Sequence, residues 1–156
     1  MLGFWPECTM AIITTDLLLT GIRRDDVFDW LGDPAHHDAI VNGAFDSVSG
    51  SGGVYELGLS TPGRKRTMGY KFQSKDDSHG GRRVIIQTTG KRTEGQLNFS
   101  LRTMKGATKT LVTIRMDYNP GGALGGFVNS SGLAAALESG LKRMLQNIEA
   151  AIPKEQ

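Results

Sequence analysis

The chain has a single cysteine, Cys8, in 156 residues. One thiol excludes an intramolecular disulfide and gives no support for a small cross-linked secreted scaffold. No segment is apolar over the ~20 residues a membrane helix requires. The first residues carry Trp5, Pro6, Glu7 and Asp16 without a basic start ahead of an apolar core, which is the wrong pattern for a signal peptide. The expected location is therefore the cytoplasm, with no transmembrane segment. Neither sign of charge is in excess: 18 basic against 16 acidic residues give a net charge of +2. That balance offers no electrostatic footprint for nucleic acid. His-x-x-x-His and Cys-x-x-Cys spacings are missing, so no metal and no cofactor are expected. Gly121-Gly122-Ala123-Leu124-Gly125-Gly126 lacks the Gly-Lys-Ser/Thr ending of a phosphate loop. It reads equally as a plain connection or as a flexible lid.

Glycine, by contrast, is plentiful, with 21 residues, nine of them clustered at 50–53, 80–81 and 121–126. Such clusters suit tight turns between strands. The length fits one domain over residues 1–156, with residues 1–10 as an irregular extension and either Met1 or Met10 as the start.

Apolar periodicity supplies the elements. Leu133, Leu137, Leu141, Met144, Leu145, Ile148 and Ile152 recur at spacings of three and four, one face of a helix over residues 131–152. Upstream, residues 12–19 read as a strand. Asp25 and Asp26 favour a helix start, and Val27, Phe28, Trp30 and Leu31 give that short helix an apolar face. Asp33-Pro34 is a cap followed by proline, opening a second short helix that ends at Val41. Strands follow at residues 44–48 and 54–59 across a turn at 49–53, then around Arg66–Phe72, with a polar turn at 74–81. Val84–Ile86, Leu97–Leu101 and Val112–Tyr118 complete the series. A curved antiparallel sheet with one face on the terminal helix is the arrangement this order predicts.

This order resembles the START-like, or SRPBCC, superfamily: the helix-grip fold of birch-pollen-allergen-like and polyketide cyclase/dehydrase-like proteins. The segments that carry the likeness are Asp26-Val27-Phe28-Asp29-Trp30-Leu31-Gly32-Asp33-Pro34, the strand end Asp117-Tyr118, and the terminal Leu141-Lys142-Arg143-Met144-Leu145-Gln146-Asn147-Ile148-Glu149. The resemblance covers nearly the whole chain from about Ile12. It implies an α+β helix-grip fold, with a curved antiparallel sheet of six to seven strands around a long C-terminal helix and two short helices after the first strand. It also implies an apolar cavity for lipids, sterols, quinones or polyketides. No residue is carried over as catalytic.

The expected ligand walls are Trp30, Tyr55, Tyr70, Phe72, Phe99, Leu133 and Leu137, which mix large apolar area with two tyrosine hydroxyls. Gly58, Gly69 and Gly140 lie near them and could leave irregular space, although for Gly140, inside the helix, close packing is the first reading and room for a ligand the second. A solid core is the competing expectation. Adjacent helical residues point about 100° apart, so His36 and His37 are poorly set to chelate one ion. Both are expected at solvated or pocket-rim positions. The basic groups Arg64-Lys65-Arg66, Arg82-Arg83, Lys91-Arg92 and Lys142-Arg143 are expected on solvated faces. The functional expectation is a binding or carrier protein for a small hydrophobic or amphipathic molecule of the lipid, quinone, sterol or polyketide class. The first alternative is a cyclase/dehydrase-type enzyme using a cavity tyrosine or histidine as acid or base. The second is a chaperone-like or subunit-interaction protein. The sequence leaves the oligomeric state open.

Overall fold

The computed structural model describes residues 10–61, 64–105, 108–120 and 125–154, with residues 64 and 125–131 described by their backbone alone. Strand β1 (Ala11–Thr20) leads into helix α1 (Arg24–Leu31), a 3-10 turn at Pro34–His36 and helix α2 (His37–Val41). Strands β2 (Ser47–Ser51), β3 (Val54–Thr61), β4 (Arg64–Asp76), β5 (Arg83–Thr89), β6 (Gly95–Thr103) and β7 (Lys109–Tyr118) follow, and helix α3 (Gly125–Ala151) ends the series. All strand pairs are antiparallel, in the order β1-β7-β6-β5-β4-β3-β2. The last strand pairs with the first, so the sheet curls around α3 and its edges are β1 and β2.

Alternation sets the concave face. Leu57 and Leu59, Met68 and Tyr70, Val84 and Ile86, Leu97 and Phe99, and Ile114 and Met116 are all buried. They meet the α3 stripe of Leu133, Leu137, Leu141, Met144, Leu145 and Ile148. Burial of each such side chain is worth about 1.5–3 kcal/mol. Asn147 adds a polar tie on the same helix. Its Nδ2 donates to Ile40 O at 2.9 Å and to Asn42 O at 2.8 Å, satisfying carbonyls at the end of α2.

Several boundaries differ from the sequence reading, each for a local reason. The β2–β3 turn is two residues, not five: Ser51 pairs with Val54, and Gly52 and Gly53 both have positive φ (69° and 96°). Two left-handed residues make a tight hairpin whose twist suits the flanking strands, which frees Ser49–Ser51 for the strand. Residues 44–46 are not strand, because Ala44 N–H is bonded back to Val41 O and Phe45 turns inward toward α3. Strand β4 runs past Ser74 to Asp76 by way of a register shift between Phe72 and Ser74. An extra residue of this kind bends a strand and lets pairing continue, and Arg83 Nη2 to Asp76 Oδ2 at 2.6 Å closes the end. Helix α3 starts at Gly125, six residues before the expected start at 131; its first turns are rich in glycine, serine and asparagine, which carry no periodic signal. Cys8, the segment 1–9 and residues 121–124 of the expected lid lie outside the described residues.

Candidate functional site: a buried histidine–tyrosine pair and an open groove

Helix α2 is only five residues long, and its buried residues are His37, Ile40 and Val41. That spacing of three and four turns His37 into the concave face, where it has no exposed surface. The expectation of a solvated or rim position is therefore wrong for His37. Its Nε2 lies 2.7 Å from Leu31 O and its Nδ1 lies 2.7 Å from the Tyr70 hydroxyl. A carbonyl only accepts, so Nε2 carries the proton and Nδ1 accepts from Tyr70. The ring is also wedged edge-on against Phe72 (5.4 Å) and Phe99 (5.7 Å). Burial is the main reason its pKa falls to about 4, against a smaller upward pull from the Leu31 carbonyl. At neutral pH this histidine is uncharged. Burial likewise pushes the Tyr70 hydroxyl well above its ordinary range, so it stays a phenol.

A second polar link lies beside it. Tyr55 and Tyr70 are cross-strand partners with rings 5.6 Å apart, edge to face. The Tyr55 hydroxyl donates to Asp38 Oδ1 and accepts from Gly53 N–H at 3.0 Å. Gly52 N–H reaches the same Asp38 oxygen at 3.0 Å. The Tyr55 hydroxyl and the Gly52 N–H together hold the Asp38 carboxyl below its usual range, while burial and then Asp38 raise the Tyr55 hydroxyl. The whole arrangement clamps the β2–β3 hairpin to α2.

Tyr70 has a further cross-strand partner, Thr88 on β5. Thr88 is fully buried, and its hydroxyl has no hydrogen-bond partner among the described residues. A buried hydroxyl left unbonded costs about 1–3 kcal/mol, so the row Tyr55–Tyr70–Thr88 ends on a polar group with an unmet need.

The seven expected walls separate into two places. Tyr55, Tyr70, Phe99, Leu133 and Leu137 come together in the core with at most 4% exposure each, and Phe72 packs half-buried against them. These side chains belong to one buried cluster. Trp30 is half-buried against the core but lines a different space, a groove of about 490 Å³ where α1 meets the end of α3. There Trp30 stacks on His36 (4.6 Å, 20° between planes), and Ile22, Asp26, Asp29, Ile152, Pro153 and Lys154 complete the lining. His36 is thus at a rim, as its sequence position suggested, with Nδ1 donating to Trp30 O at 2.7 Å.

Gly58 and Gly69 do not leave the space expected of them, whereas Gly140 shows the close packing that was its first reading. A Cβ on Gly58 would meet Ser47 Oγ at 2.3 Å, and one on Gly69 would meet Thr89 Oγ1 at 2.0 Å. Both residues alternate with inward-facing neighbours, so they sit on the other side of the sheet. A Cβ on Gly140 would lie 2.1 Å from Phe45 Cε1, so this glycine marks close packing. Arg82 and Arg83 are paired with Asp25 and Asp76, and Lys75 and Arg82 lie over the Phe28 ring. Among the described residues, no group of three His, Cys, Asp or Glu side chains is placed to hold a metal ion, and no helix is long and apolar enough to cross a membrane. Sequence reasoning missed Thr88 and Asn147. The His37-x-x-Ile40-Val41 spacing was the signal that would have found His37.

Solved structures with the same architecture include an aromatase/cyclase, ZhuI, from Streptomyces sp. R1128, at 16% identity and a TM-score of 0.56, covering 90% of this chain and 92% of that one. The major latex-like protein 151 of Panax ginseng matches at 15% identity and 0.56, over 92% and 97% of the two chains. XoxI from Bacillus cereus matches at 15% and 0.55, over 88% and 94%. The chain has the START-like helix-grip fold. No protein-family model and no curated protein sequence matches it. At these identities the likeness establishes the architecture: a curled antiparallel sheet, a long terminal helix, and short helices after the first strand.

Proposed function

We propose that this helix-grip protein binds or carries a small hydrophobic or amphipathic molecule between its concave sheet face and α3. Tyr55, Tyr70, Phe72, Phe99, Leu133 and Leu137 would touch the ligand. The observation that carries the proposal is the buried, unpartnered hydroxyl of Thr88 in the cross-strand row with Tyr70. A core that was only a core would be better served there by valine, which has the same shape and no hydroxyl. A ligand carbonyl or hydroxyl would meet that group and turn a cost into a contact. Because the walls are buried in one cluster, a ligand reaches them where α3 and the concave face meet and would replace contacts between side chains. Apolar burial would supply most of the affinity and the hydroxyls the selectivity. The proposed compartment is the cytoplasm.

The test is displacement of a hydrophobic fluorescent probe by fatty acids, sterols, quinones and aromatic polyketides, alongside native mass spectrometry of protein from its own source. Thr88→Val should leave the free protein as stable or more stable, yet weaken the best ligand by about two- to tenfold, the worth of one hydrogen bond. Leu137→Trp should weaken every ligand by filling the space. A panel with no binder, or a Thr88→Val protein that is destabilised when empty, would reject the proposal.

A second reading, an enzyme of the cyclase/dehydrase type, draws on His37 and Tyr70, a neutral imidazole hydrogen-bonded to a phenol. It ranks below binding because each group already satisfies the other, and a general base needs reach to its substrate. If a bound panel member were converted, and His37→Gln stopped conversion but not binding, the enzyme reading would take first place.

A further inference from the structure

The groove between α1 and the end of α3 plays no part in the interior reading. We propose that it is a second ligand site, for a small aromatic molecule carrying one positive charge, such as an arylalkylammonium ion. Its volume of about 490 Å³ suits such a molecule, since small-molecule pockets span about 300–1,000 Å³. Ile22 and Ile152 give it a buried apolar wall. Trp30 contributes an indole ring whose orientation is fixed by the stack with His36 and by the bond from His36 Nδ1 to Trp30 O. An indole held in this way is a preorganised surface for a ring or for a cation, which the negative ring face attracts.

Charge decides between ligand classes. Among the described residues, the lining holds two carboxylates, Asp26 and Asp29, against one ammonium, Lys154. Asp29 shares its charge with Lys75 at 3.4 Å, whereas Asp26 has no ion pair among the described residues. His36 does not cancel this excess, because Asp33 lies 3.6 Å from its Nε2 and would neutralise it when protonated. An anion would face the two carboxylates. A neutral molecule would fill the apolar volume while desolvating Asp26 without recompense. An arylalkylammonium ion matches both parts, with its ring on Trp30 and its charge at Asp26.

The chain has two tryptophans, so a Trp5→Phe protein reports Trp30 alone. Phenethylammonium is titrated into it, with fluorescence and calorimetry as readouts, beside 2-phenylethanol and 3-phenylpropionate. The expected result is saturable binding of the ammonium ion, about three- to tenfold tighter than the alcohol, with the carboxylate weakest. Asp26→Asn should remove that preference by weakening the ammonium ion, with the alcohol bound no less tightly than before. Asp26 is exposed, so the variant keeps its fold, and a thermal melt checks this. Trp30→Leu, followed by calorimetry, should lose the ammonium ion. Equal binding of all three probes, no effect of Asp26→Asn, or no saturation of Trp30 emission would overturn the proposal. Thr88→Val should not alter phenethylammonium binding, so this site and the interior site succeed or fail separately.

Discussion

His36 and His37 are neighbours in sequence and opposites in environment. His36 stacks on Trp30 at an open groove; His37 is sealed among Tyr70, Phe72 and Phe99 with both ring nitrogens committed. The cause is helix geometry: one residue of advance rotates a side chain by about 100°. At the junction of the 3-10 turn and α2, that rotation carries the chain from rim to core. Identity alone says nothing about which histidine is structural. The roll of a five-residue helix says everything, and that roll is fixed by Ile40 and Val41, which must be inside.

The largest expected effect breaks this asymmetry directly. His37→Ala removes a filled volume and strands two partners, the Leu31 carbonyl and the Tyr70 hydroxyl. A loss of about 3–5 kcal/mol follows from the cavity and unmet-bond terms together. His36→Ala should change stability by less than about 1 kcal/mol, since an exposed ring gives up little. Urea denaturation of the two variants measures both. Equal losses would mean that α2 does not present His37 to the core.

A smaller effect depends on pH. The folded pKa of His37 is depressed to about 4 from an ordinary 6.5. Between those values the unfolded chain binds a proton that the folded protein refuses. Stability contributed by the neutral ring is therefore fully present above pH 6.5 and is lost as the pH falls toward 4. The sum is on the order of 3 kcal/mol at about 1.4 kcal/mol per unit. Denaturation curves between pH 4 and 7.5 should show this slope, and His37→Gln should flatten it. An unchanged slope in the variant would assign the acid sensitivity to other groups.

Most of the fold could be read from the chain because burial writes itself as period. Leu133 to Ile152 and the alternating strands expose their partners by spacing alone, and Asp33-Pro34 announces a cap that the structure contains, with Asp33 Oδ1 accepting from Ala35 N–H. The site was less legible. Five of the seven expected walls gather in the core, but Trp30 turns to a separate groove, lined by α1 on one side and by Ile152, Pro153 and Lys154, which follow α3, on the other. Spacing identifies an apolar face; it does not say which neighbour that face will meet. Thr88 illustrates a second limit. In a strand, threonine on the inner face is indistinguishable from valine by pattern, and only the packed structure reveals that its hydroxyl has no partner among the described residues.

The smallest effect tests how tightly the closed region is packed. Gly140 lies inside α3, where replacing glycine by alanine gains about 1 kcal/mol from helix propensity. That gain would decide the sign in the open groove, where nothing presses on the helix. At Gly140 the new methyl would sit 2.1–2.7 Å from three ring atoms of Phe45. Real Cβ atoms do not come that close, so the ring, wedged between the α2–β2 connection and α3, must move. Overpacking of this kind costs about 1–3 kcal/mol. The two terms oppose each other, and the ring clash should prevail by about 1 kcal/mol, giving a Gly140→Ala protein slightly less stable than the parent. In a Phe45→Leu background the clash is relieved and the same substitution should become neutral or stabilising. Comparing Gly140→Ala in the two backgrounds by urea denaturation reads that reversal. A stabilising Gly140→Ala in the parent would show that Phe45 yields easily and that the interior can make room beside α3, as the ligand-binding proposal requires.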